Sequence, residues 1–490
     1  MRVVFISAEC EPWAKTGGLG DVVDALARAV GAMRPTGDPL VDVFLPRYRG
    51  MVVPERATSR PLDVPDPLSK SGTTHVDLVE FEDRGYRVRL IDHAPAYDRE
   101  GFYGGPSGDF PDNGWRFGLL CRAAIEALLV DGQPVDVLHL HDWQAQAVAV
   151  LRDVGYQDRP LICNAAVVVT IHNLAYQGWL TRDQVEGMLL HGELARALPR
   201  AATGMLLLRE GIGRAEMVNT VSPGYAQEVT KPELGMGLDR DLVALGSRFG
   251  GIINGLDMAV WDPASDAALA EPYSRADMAG KKACRKALLA ELGFDPDDAA
   301  PVLGMIGRLD PQKGFDLLAA VAPNLVAAGA RLAVLGTGDP KLVGELRRLA
   351  ARNPSSVAVS ETFDRALARR IYAGADMYLM PSRFEPCGQG QMIAMRYGTP
   401  PIVHRTGGLA DTVVDVDEHA AEGNGFVHAA ATPRAMLNAC QRALARFRRG
   451  GSEWASLVDR GMAVDWSWES GPVEQYVASY RRAVSLRSGR

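Results

Sequence analysis

Five clusters of residues in this 490-residue chain have the types and spacing that chemistry at a phosphate or a sugar requires. The first is Lys15-Thr16-Gly17-Gly18-Leu19-Gly20, which follows the apolar run Val3 to Ile6 and precedes a helix-like stretch, Asp21 to Met33. Glycines there let a backbone approach an anion, and a following helix offers unpaired N–H groups. Lys15 adds a full positive charge. The spacing is neither G-x-G-x-x-G nor that of a P-loop, so the turn also reads as a tight connection. The second cluster, Gly307-Arg308-Leu309-Asp310-Pro311-Gln312-Lys313-Gly314, follows the run Val302–Ile306. Arg308 offers a planar fork and Lys313 a compact charge to a diphosphate; the bland reading is a solvated basic turn. The third is His139-Leu140-His141-Asp142-Trp143. His141 could donate to a substrate hydroxyl or to a charged intermediate, or could sit beside a helix cap at Asp142. Ile171-His172-Asn173 repeats that arrangement after the next run. In the fourth, Ser382-Arg383-Phe384-Glu385-Pro386-Cys387-Gly388, Glu385 precedes a helix expected from Gln391. Its carboxylate could bind a sugar hydroxyl or cap that helix. The fifth, Arg405-Thr406-Gly407-Gly408-Leu409-Ala410-Asp411-Thr412, is another strand–glycine–helix turn.

These clusters need strands that end beside them. Strands are predicted at Val3–Ser7, Val41–Pro46, Arg87–Asp92, Val135–Leu140, Ala166–Ile171 and Met217–Val221, then at Val302–Ile306, Ala330–Leu335, Met377–Met380 and Pro401–Val403. Continuous apolar runs such as Ala-Val-Val-Val-Thr-Ile suit strands buried on both faces of a parallel sheet. Helical patterns at Arg116–Leu129, Leu317–Ala328 and Arg365–Gly374 alternate with them. That alternation argues for α/β doubly wound domains. Two strand sets imply two domains, with the glycine-rich segment Gly250 to Asp257 as a hinge and Trp261–Pro272 as a proline-bearing stretch beyond it. Pro54–Gly85, rich in Pro, Asp and Ser, reads as turns and short antiparallel strands inserted in the first domain. Ligands of open α/β sheets bind beyond the carboxyl ends of the strands. Basic and acidic groups at those ends in both halves suit an interdomain cleft that takes a nucleotide-diphosphate donor and an acceptor.

Bulk properties restrict the alternatives. The net charge of −7 argues against a nucleic-acid surface. The six cysteines are scattered with no C-x-x-C or Cys/His cluster, so neither a zinc site nor a disulfide framework is expected, and reduced thiols in a cytosol are. The opening run is interrupted by Glu9 and Glu11 too early for a signal peptide, and no apolar run approaches the roughly 20 residues of a membrane span. No metal-binding carboxylate pair is evident, so side-chain cations and helix ends would have to stabilise a leaving diphosphate.

The ordered set of motifs resembles glycosyltransferase family 5, the bacterial glycogen synthases and plant starch synthases, over essentially the whole chain. The matching stretches are Lys15–Val22, His141–Trp143, Ile171–Gly178, Thr220–Pro223, Asn254–Asp257, Gly307–Gly314, Pro381–Gly388 and Arg405–Thr412. The resemblance implies a GT-B fold, two Rossmann-like doubly wound domains facing an interdomain cleft. Residues 1–253 would form the acceptor-side domain, 254–463 the donor-side domain, and 464–490 a helix returning to the first, with Trp468, Tyr476 and Tyr480 in the return. It implies a hexosyltransferase that moves glucose, with retention, from ADP-glucose to the 4-hydroxyl end of an α-1,4-glucan in the cytoplasm. No cofactor or metal would be needed. Lys15 and the Gly17-Gly18 backbone would contact the donor, His141 the glucosyl unit, Arg308 and Lys313 the departing diphosphate, and Glu385 the glucose hydroxyls. Asp21, Gly388, Gln389, Gly390 and Thr412 fall in the same nucleotide-sugar-binding stretches. The departing phosphate would take the acceptor's proton on the same face, so the paired carboxylates of a glycosidase are not needed.

One stretch departs from the family. Where it carries Glu-Pro-Cys-Gly-Leu-Thr-Gln, this chain has Glu385-Pro386-Cys387-Gly388-Gln389-Gly390-Gln391. Losing the threonine removes a hydroxyl, while glycine keeps the N–H and permits closer approach. A milder departure is Pro400-Pro401 where one proline is usual. The alternatives these leave are altered donor preference, such as UDP-glucose, or a catalytically weak glucan-binding homologue. Restoring Leu-Thr at 389–390 is expected to raise activity or sharpen the preference for ADP-glucose if the departure is costly.

Overall fold

The computed structural model describes residues 1–33, 41–105 and 108–489. The chain folds into two compact units. The first comprises Met1–Val221, Ala226–Gly255 and Trp468–Arg490; the second comprises Ser222–Tyr225 and Leu256–Ser467. The main division thus falls at Gly255/Leu256 and Ser467/Trp468, a few residues beyond the expected 253/254 and 463/464.

The first unit is built on a nine-stranded sheet. In spatial order its strands are Phe249–Gly251, Met217–Thr220, Ala166–Ile171, Val137–His141, Val3–Ile6, Val41–Pro46, Tyr86–Asp92, Thr73–Asp83 and Thr58–Pro65. The first seven run parallel and the last two antiparallel. Every residue of Val3–Ile6, Val41–Pro46 and Ala166–Ile171 is buried, as strands covered on both faces should be. Helix Gly18–Ala32 and the C-terminal helix Pro472–Ser488 share one core with this sheet: Val22, Leu26 and Val30 from one, Tyr476 and Tyr480 from the other, against Phe5, Val43 and Val168.

The segment Pro54–Gly85 departs from its expectation. Its strands are long, 8 and 11 residues, and they extend the main sheet at its edge. Only alternate residues such as Leu62, Val64, Val76 and Leu78 face inward, so the polar outer positions dominate the composition. Pro61 and Pro65 are tolerated because Thr58–Pro65 is the outermost strand. Phe249–Gly251, which overlaps the start of the predicted hinge, is the strand at the opposite edge.

The second unit carries a six-stranded parallel sheet in the order Val357–Ser360, Arg331–Leu335, Val302–Ile306, Met377–Met380, Pro401–His404, Phe426–His428. Numbered along the chain this is 3-2-1-4-5-6, the Rossmann order. The first unit's parallel strands follow the same rule, with Val3–Ile6 and Val137–His141 as the pair where strand order reverses. In the second unit the reversal lies between Val302–Ile306 and Met377–Met380. Loops leaving the carboxyl ends of those four strands carry most of the residues singled out above.

Candidate active site

In the first unit the loop after Val3–Ile6 is organised by a residue that the sequence reading passed over. Glu9 is only 3% exposed, and its carboxylate accepts from Thr16 N (2.6 Å), Thr16 Oγ1 (2.6 Å), Gly17 N (3.2 Å) and the Tyr103 hydroxyl (2.5 Å). One buried anion therefore ties the glycine turn to the base of the unit. Gly17 is the N-cap of helix Gly18–Ala32, with extended backbone and no side-chain cap, and its N–H is committed to Glu9. A Cβ there would meet nothing within 4 Å among the described residues, so space remains above the turn. Gly20 is the tighter position, with the carbonyl of Ala14 3.0 Å from an added Cβ. Lys15 pairs with Asp21 in the helix's first turn and lies 3.7 Å from Glu11 Oε2. Asp21 thus acts on the site through Lys15.

The strand Val137–His141 and its neighbour Ala166–Ile171 bring three imidazoles together. His139 Nε2 lies 2.7 Å from Thr170 Oγ1 and its Nδ1 2.9 Å from the Tyr480 hydroxyl. His141 Nδ1 lies 3.0 Å from His172 Nε2. The His139 and His141 ring centroids are 4.1 Å apart, with Phe5 beside both. His141 is 0% exposed and its Nε2 has no hydrogen-bond partner among the described residues; the partly exposed His172 lies beside it at the strand end. Burial, reinforced by the neighbouring imidazoles, holds His141 well below the ordinary histidine range, and burial pulls His172 down to about 3. Both rings are therefore neutral near neutral pH. Asp142 follows with a positive φ of 52°, rare for a non-glycine residue. It does not cap a helix with its side chain; its carboxylate accepts from the backbone N–H of His172 at 2.7 Å. Burial raises this carboxyl to about 7 against the lowering effect of its backbone hydrogen bonds.

In the second unit the loops after Val302–Ile306 and Met377–Met380 meet. Lys313 Nζ donates to Glu385 Oε1 (2.9 Å) and Oε2 (2.7 Å), and Ser382 Oγ donates to Oε2 (2.8 Å). Gly314 makes the approach possible: its φ is +75°, and an added Cβ would lie 2.5 Å from the carbonyl of Pro381. Arg383 N donates to Gln312 O, and Gln312 Nε2 to Phe384 O, which stitches the two loops further. The ammonium uses two hydrogens on Glu385 and retains one. The carboxylate accepts three bonds and retains a lone pair on Oε1. Both groups can thus take a ligand atom without separating. The Arg308 side chain is 53% exposed beside the pair's loop, 3.5 Å from Asp310 Oδ2.

The remaining second-unit residues separate into two groups. Gly388, Gln389 and Gly390 are partly exposed next to Glu385, and Gln389 is the N-cap of helix Gly390–Arg396 with no side-chain cap. At Gly390 an added Cβ would stand 2.9 Å from the Tyr378 hydroxyl and 3.2 Å from that of Tyr372. Those two hydroxyls lie 3.3 Å apart and are buried, so they fill the volume a larger residue at 390 would need. Thr412 does not line the site. It is 5% exposed, donates to Gly408 O (2.6 Å) and accepts from Gln391 Nε2 (3.1 Å). Gly407 and Gly408 pack against the Glu385–Cys387 backbone, with 2.1 Å to a carbonyl from either added Cβ. The fifth cluster therefore props the Glu385 loop from behind.

Comparison with known proteins places this geometry. The starch synthase catalytic domain family matches residues 2–244, and the family described as glycosyl transferases group 1 matches residues 300–446. The chain is 42% identical to a glycogen synthase of Halorhodospira halophila over 495 residues, covering 99% of this chain and 100% of the other. It is 37% identical to that of Syntrophotalea carbinolica over 487 residues, 99% of each. Among solved structures, the catalytic domain of starch synthase IV from Arabidopsis thaliana, bound to ADP and acarbose, aligns over 99% of both chains at 33% identity with a TM-score of 0.89.

Proposed function

The chain belongs to the starch and glycogen synthase family of GT-B glycosyltransferases, and from that premise we propose that it is a glycogen synthase using ADP-glucose. It transfers glucose with retention to the non-reducing 4-hydroxyl of an α-1,4-glucan and releases ADP. The observation that carries this reading is the Lys313–Glu385 pair, which offers one N–H and one carboxylate lone pair side by side at the sheet's switch point. A sugar diphosphate needs that combination: a cation for the oxygens that gain charge and an acceptor for a sugar hydroxyl.

In the reaction, the bond between glucose C1 and the diphosphate oxygen breaks and its electron pair leaves with ADP. The acceptor's 4-oxygen forms the new bond to C1 on the same face, and its proton passes to the departing phosphate oxygen. Lys313 and Arg308 neutralise the growing phosphate charge. Glu385 orients the glucose through a hydroxyl. His141, its Nδ1 held against His172, contacts the glucosyl unit, and Lys15 adds a contact to the donor. Glu9 keeps the glycine turn in place. Electrostatic stabilisation by these fixed charges supplies the main catalytic effect.

The test is release of ADP from ADP-glucose in the presence of glycogen, with chain extension followed by radiolabel, and UDP-glucose run in parallel. Turnover with ADP-glucose well above that with UDP-glucose is expected. Turnover only with UDP-glucose overturns the donor assignment, and none with either overturns the enzyme reading. Cytoplasmic location fits this donor chemistry; among the described residues no helix is long and apolar enough to cross a membrane.

A further inference from the structure

The second unit holds a cavity of about 520 Å³, and none of the residues that line it takes part in the reaction above. It lies between helices Ala279–Glu291 and Gly451–Ala463, beside residues that lead into two central strands: Asp376 precedes Met377–Met380, and Gly398 precedes Pro401–His404. The cavity is therefore at the amino ends of the sheet, whereas Lys313 and Glu385 stand at the carboxyl ends. Its volume is that of a small-molecule site and well beyond the voids that close packing leaves in interiors. One part of its wall is apolar. Trp454, Val458 and Met462 recur every four residues, so a single stripe of helix Gly451–Ala463 faces the space. Gly398, with a φ of +67°, continues that surface: an added Cβ would stand 2.9 Å from Met278 Cε and 3.1 Å from Met462 Sδ. Two flexible thioethers let this part adapt to an occupant's shape.

The other part is charged, with four cations against two carboxylates. Asp459 is taken by Arg275, whose Nε donates to Oδ1 at 2.6 Å and Nη2 to Oδ2 at 2.9 Å. Asp376 is taken by Arg285 Nε (3.2 Å) and the Val302 N–H (2.8 Å). Lys281 spends its three hydrogens on neutral oxygens: Ala373 O (2.9 Å), Tyr397 O (2.8 Å) and Thr399 Oγ1 (2.7 Å). Lys282 is exposed and pairs with no carboxylate among the described residues. Each carboxylate thus answers one arginine, and the two lysines are left without counter-charge. Burial pulls Lys281 down to about 8 although Asp376 acts to raise it. No lining side chain carries a hydroxyl or an amide, so a sugar would find few partners, and an organic cation would find both carboxylates taken. Lys281 and Lys282 are neighbours in the chain, so one doubly charged group suits them better than two separated ones.

We propose that this cavity binds a small organic phosphate monoester with an apolar body, the body against the Trp454 stripe and the two methionines, and the phosphate against Lys282, Lys281 and Arg275. Arg275 keeps both Nη1 hydrogens for that group and Lys282 all three, while Lys281 acts by charge alone. The site stands independently of the transferase reading, because it shares no residue with the strand-end site.

The test uses the full-length protein with ¹³C-methyl methionine, Met278 and Met462 being assigned from Met278→Leu and Met462→Leu. Phenyl phosphate is the probe. Its titration should shift both methyls saturably, with an affinity about tenfold or more above that of phenol or inorganic phosphate, each of which supplies only part of the contacts. Lys282→Glu reverses one charge at the rim and should weaken phenyl phosphate about tenfold, the salt-screened effect on a dianion. Ala455→Trp places an indole in the cavity from an exposed helix position and should abolish the shifts. Lys313→Met should leave the titration unchanged. The proposal is overturned if neither methyl moves at millimolar phenyl phosphate, or if phenol or inorganic phosphate binds as tightly. It is overturned equally if Lys282→Glu has no effect, or if Ala455→Trp keeps the shifts. Loss of the shifts in Lys313→Met would place the phosphate at the carboxyl ends of the strands and overturn it too. Should Ala455→Trp fail to fold, Lys282→Glu still decides.

Discussion

Replacing Lys313 by Met removes the cation from the Glu385 carboxylate without emptying its place. Glu385's side chain is 6% exposed and Lys313's 23%. Breaking a fully buried ion pair from one side costs about 3–5 kcal/mol, whereas an exposed pair contributes at most about 1. Lys313 lies between these limits, and the Ser382 hydroxyl stays on Oε2, so about 2–3 kcal/mol of unit stability should be lost. For a unit of this size each kcal/mol is worth about 2–4 °C, which places the fall in melting temperature at about 5–10 °C. Glu385→Gln keeps shape and leaves the more exposed partner unpaired, so its cost should be nearer 1 kcal/mol. The double variant carries neither charge. It should therefore be more stable than the sum of the single losses predicts, with a coupling of about 1–2 kcal/mol. Urea unfolding of the four proteins measures that coupling. Steady-state ADP release, assayed at 25 °C where all four remain folded, should show Lys313→Met reduced by about 10²–10³, the size seen when one charge-stabilising donor is removed. A coupling under about 0.5 kcal/mol, or a Lys313→Met rate within a few-fold of wild type, would refute the assignment of this pair as the working contact.

Glu9→Gln should loosen the glycine turn, because an amide cannot accept all four hydrogen bonds that converge on the carboxylate; a raised KM for ADP-glucose with little change in melting temperature is expected, and an unchanged KM would separate Glu9 from the donor. Gly390→Thr, which restores the family residue, should lower activity and cost about 1–3 kcal/mol by overpacking against the Tyr372 and Tyr378 hydroxyls; a gain in rate would show that the tyrosines yield. His428 is 4% exposed, donates Nδ1–H to Ala430 O and is pulled down to about 4 by burial first, so the unfolded chain takes up its proton below pH 6.5 while the folded chain waits until about 4. Stability of the wild type should therefore fall relative to His428→Gln by about 1.4 kcal/mol per pH unit across that window, and parallel urea midpoints for the two proteins would contradict the assignment.

What the sequence disclosed and what it withheld divide along a physical line. The central strands were legible because burial on both faces leaves few polar positions to interrupt them, Asp42 being paired with Arg2 and Arg87: Val41–Pro46, Ala166–Ile171, Val302–Ile306 and Met377–Met380 agree end to end with their expected spans. Edge strands were not. Phe249–Gly251, two of whose three residues are glycine, overlaps a segment that looks like a hinge, and Thr58–Pro65 reads only as turns and short antiparallel strands because its outer face is polar. At the site, residues that carry charge on a loop were found, whereas residues that act on those loops were missed. Glu9 lies in a run without glycine, and nothing in its spacing shows that it folds back onto Thr16 and Gly17. His172 was seen as a copy of the His141 arrangement, but nothing in the spacing shows that the two rings meet across neighbouring strands. Thr412 drew attention through its glycines, yet those glycines serve backbone packing against Glu385–Cys387.

The Gln389-Gly390 departure illustrates why a missing side chain is not by itself a missing function. Read along the chain, glycine for threonine is the loss of a hydroxyl beside a phosphate-binding turn. In the fold, the place of that side chain is occupied from below by Tyr378, whose hydroxyl also donates to Ile306 O at the end of the first strand of the sheet. The tyrosine thus links the strand that leads into Arg308 and Lys313 to the helix that follows Glu385, across the point where strand order reverses. In this chain the Tyr378 hydroxyl stands on the strand beneath the helix end and forms part of the packing around the Lys313–Glu385 pair. The two positions are therefore coupled, and Gly390→Thr should be tolerated better in a Tyr378→Phe background than alone, because the 2.9 Å approach to the hydroxyl is then relieved.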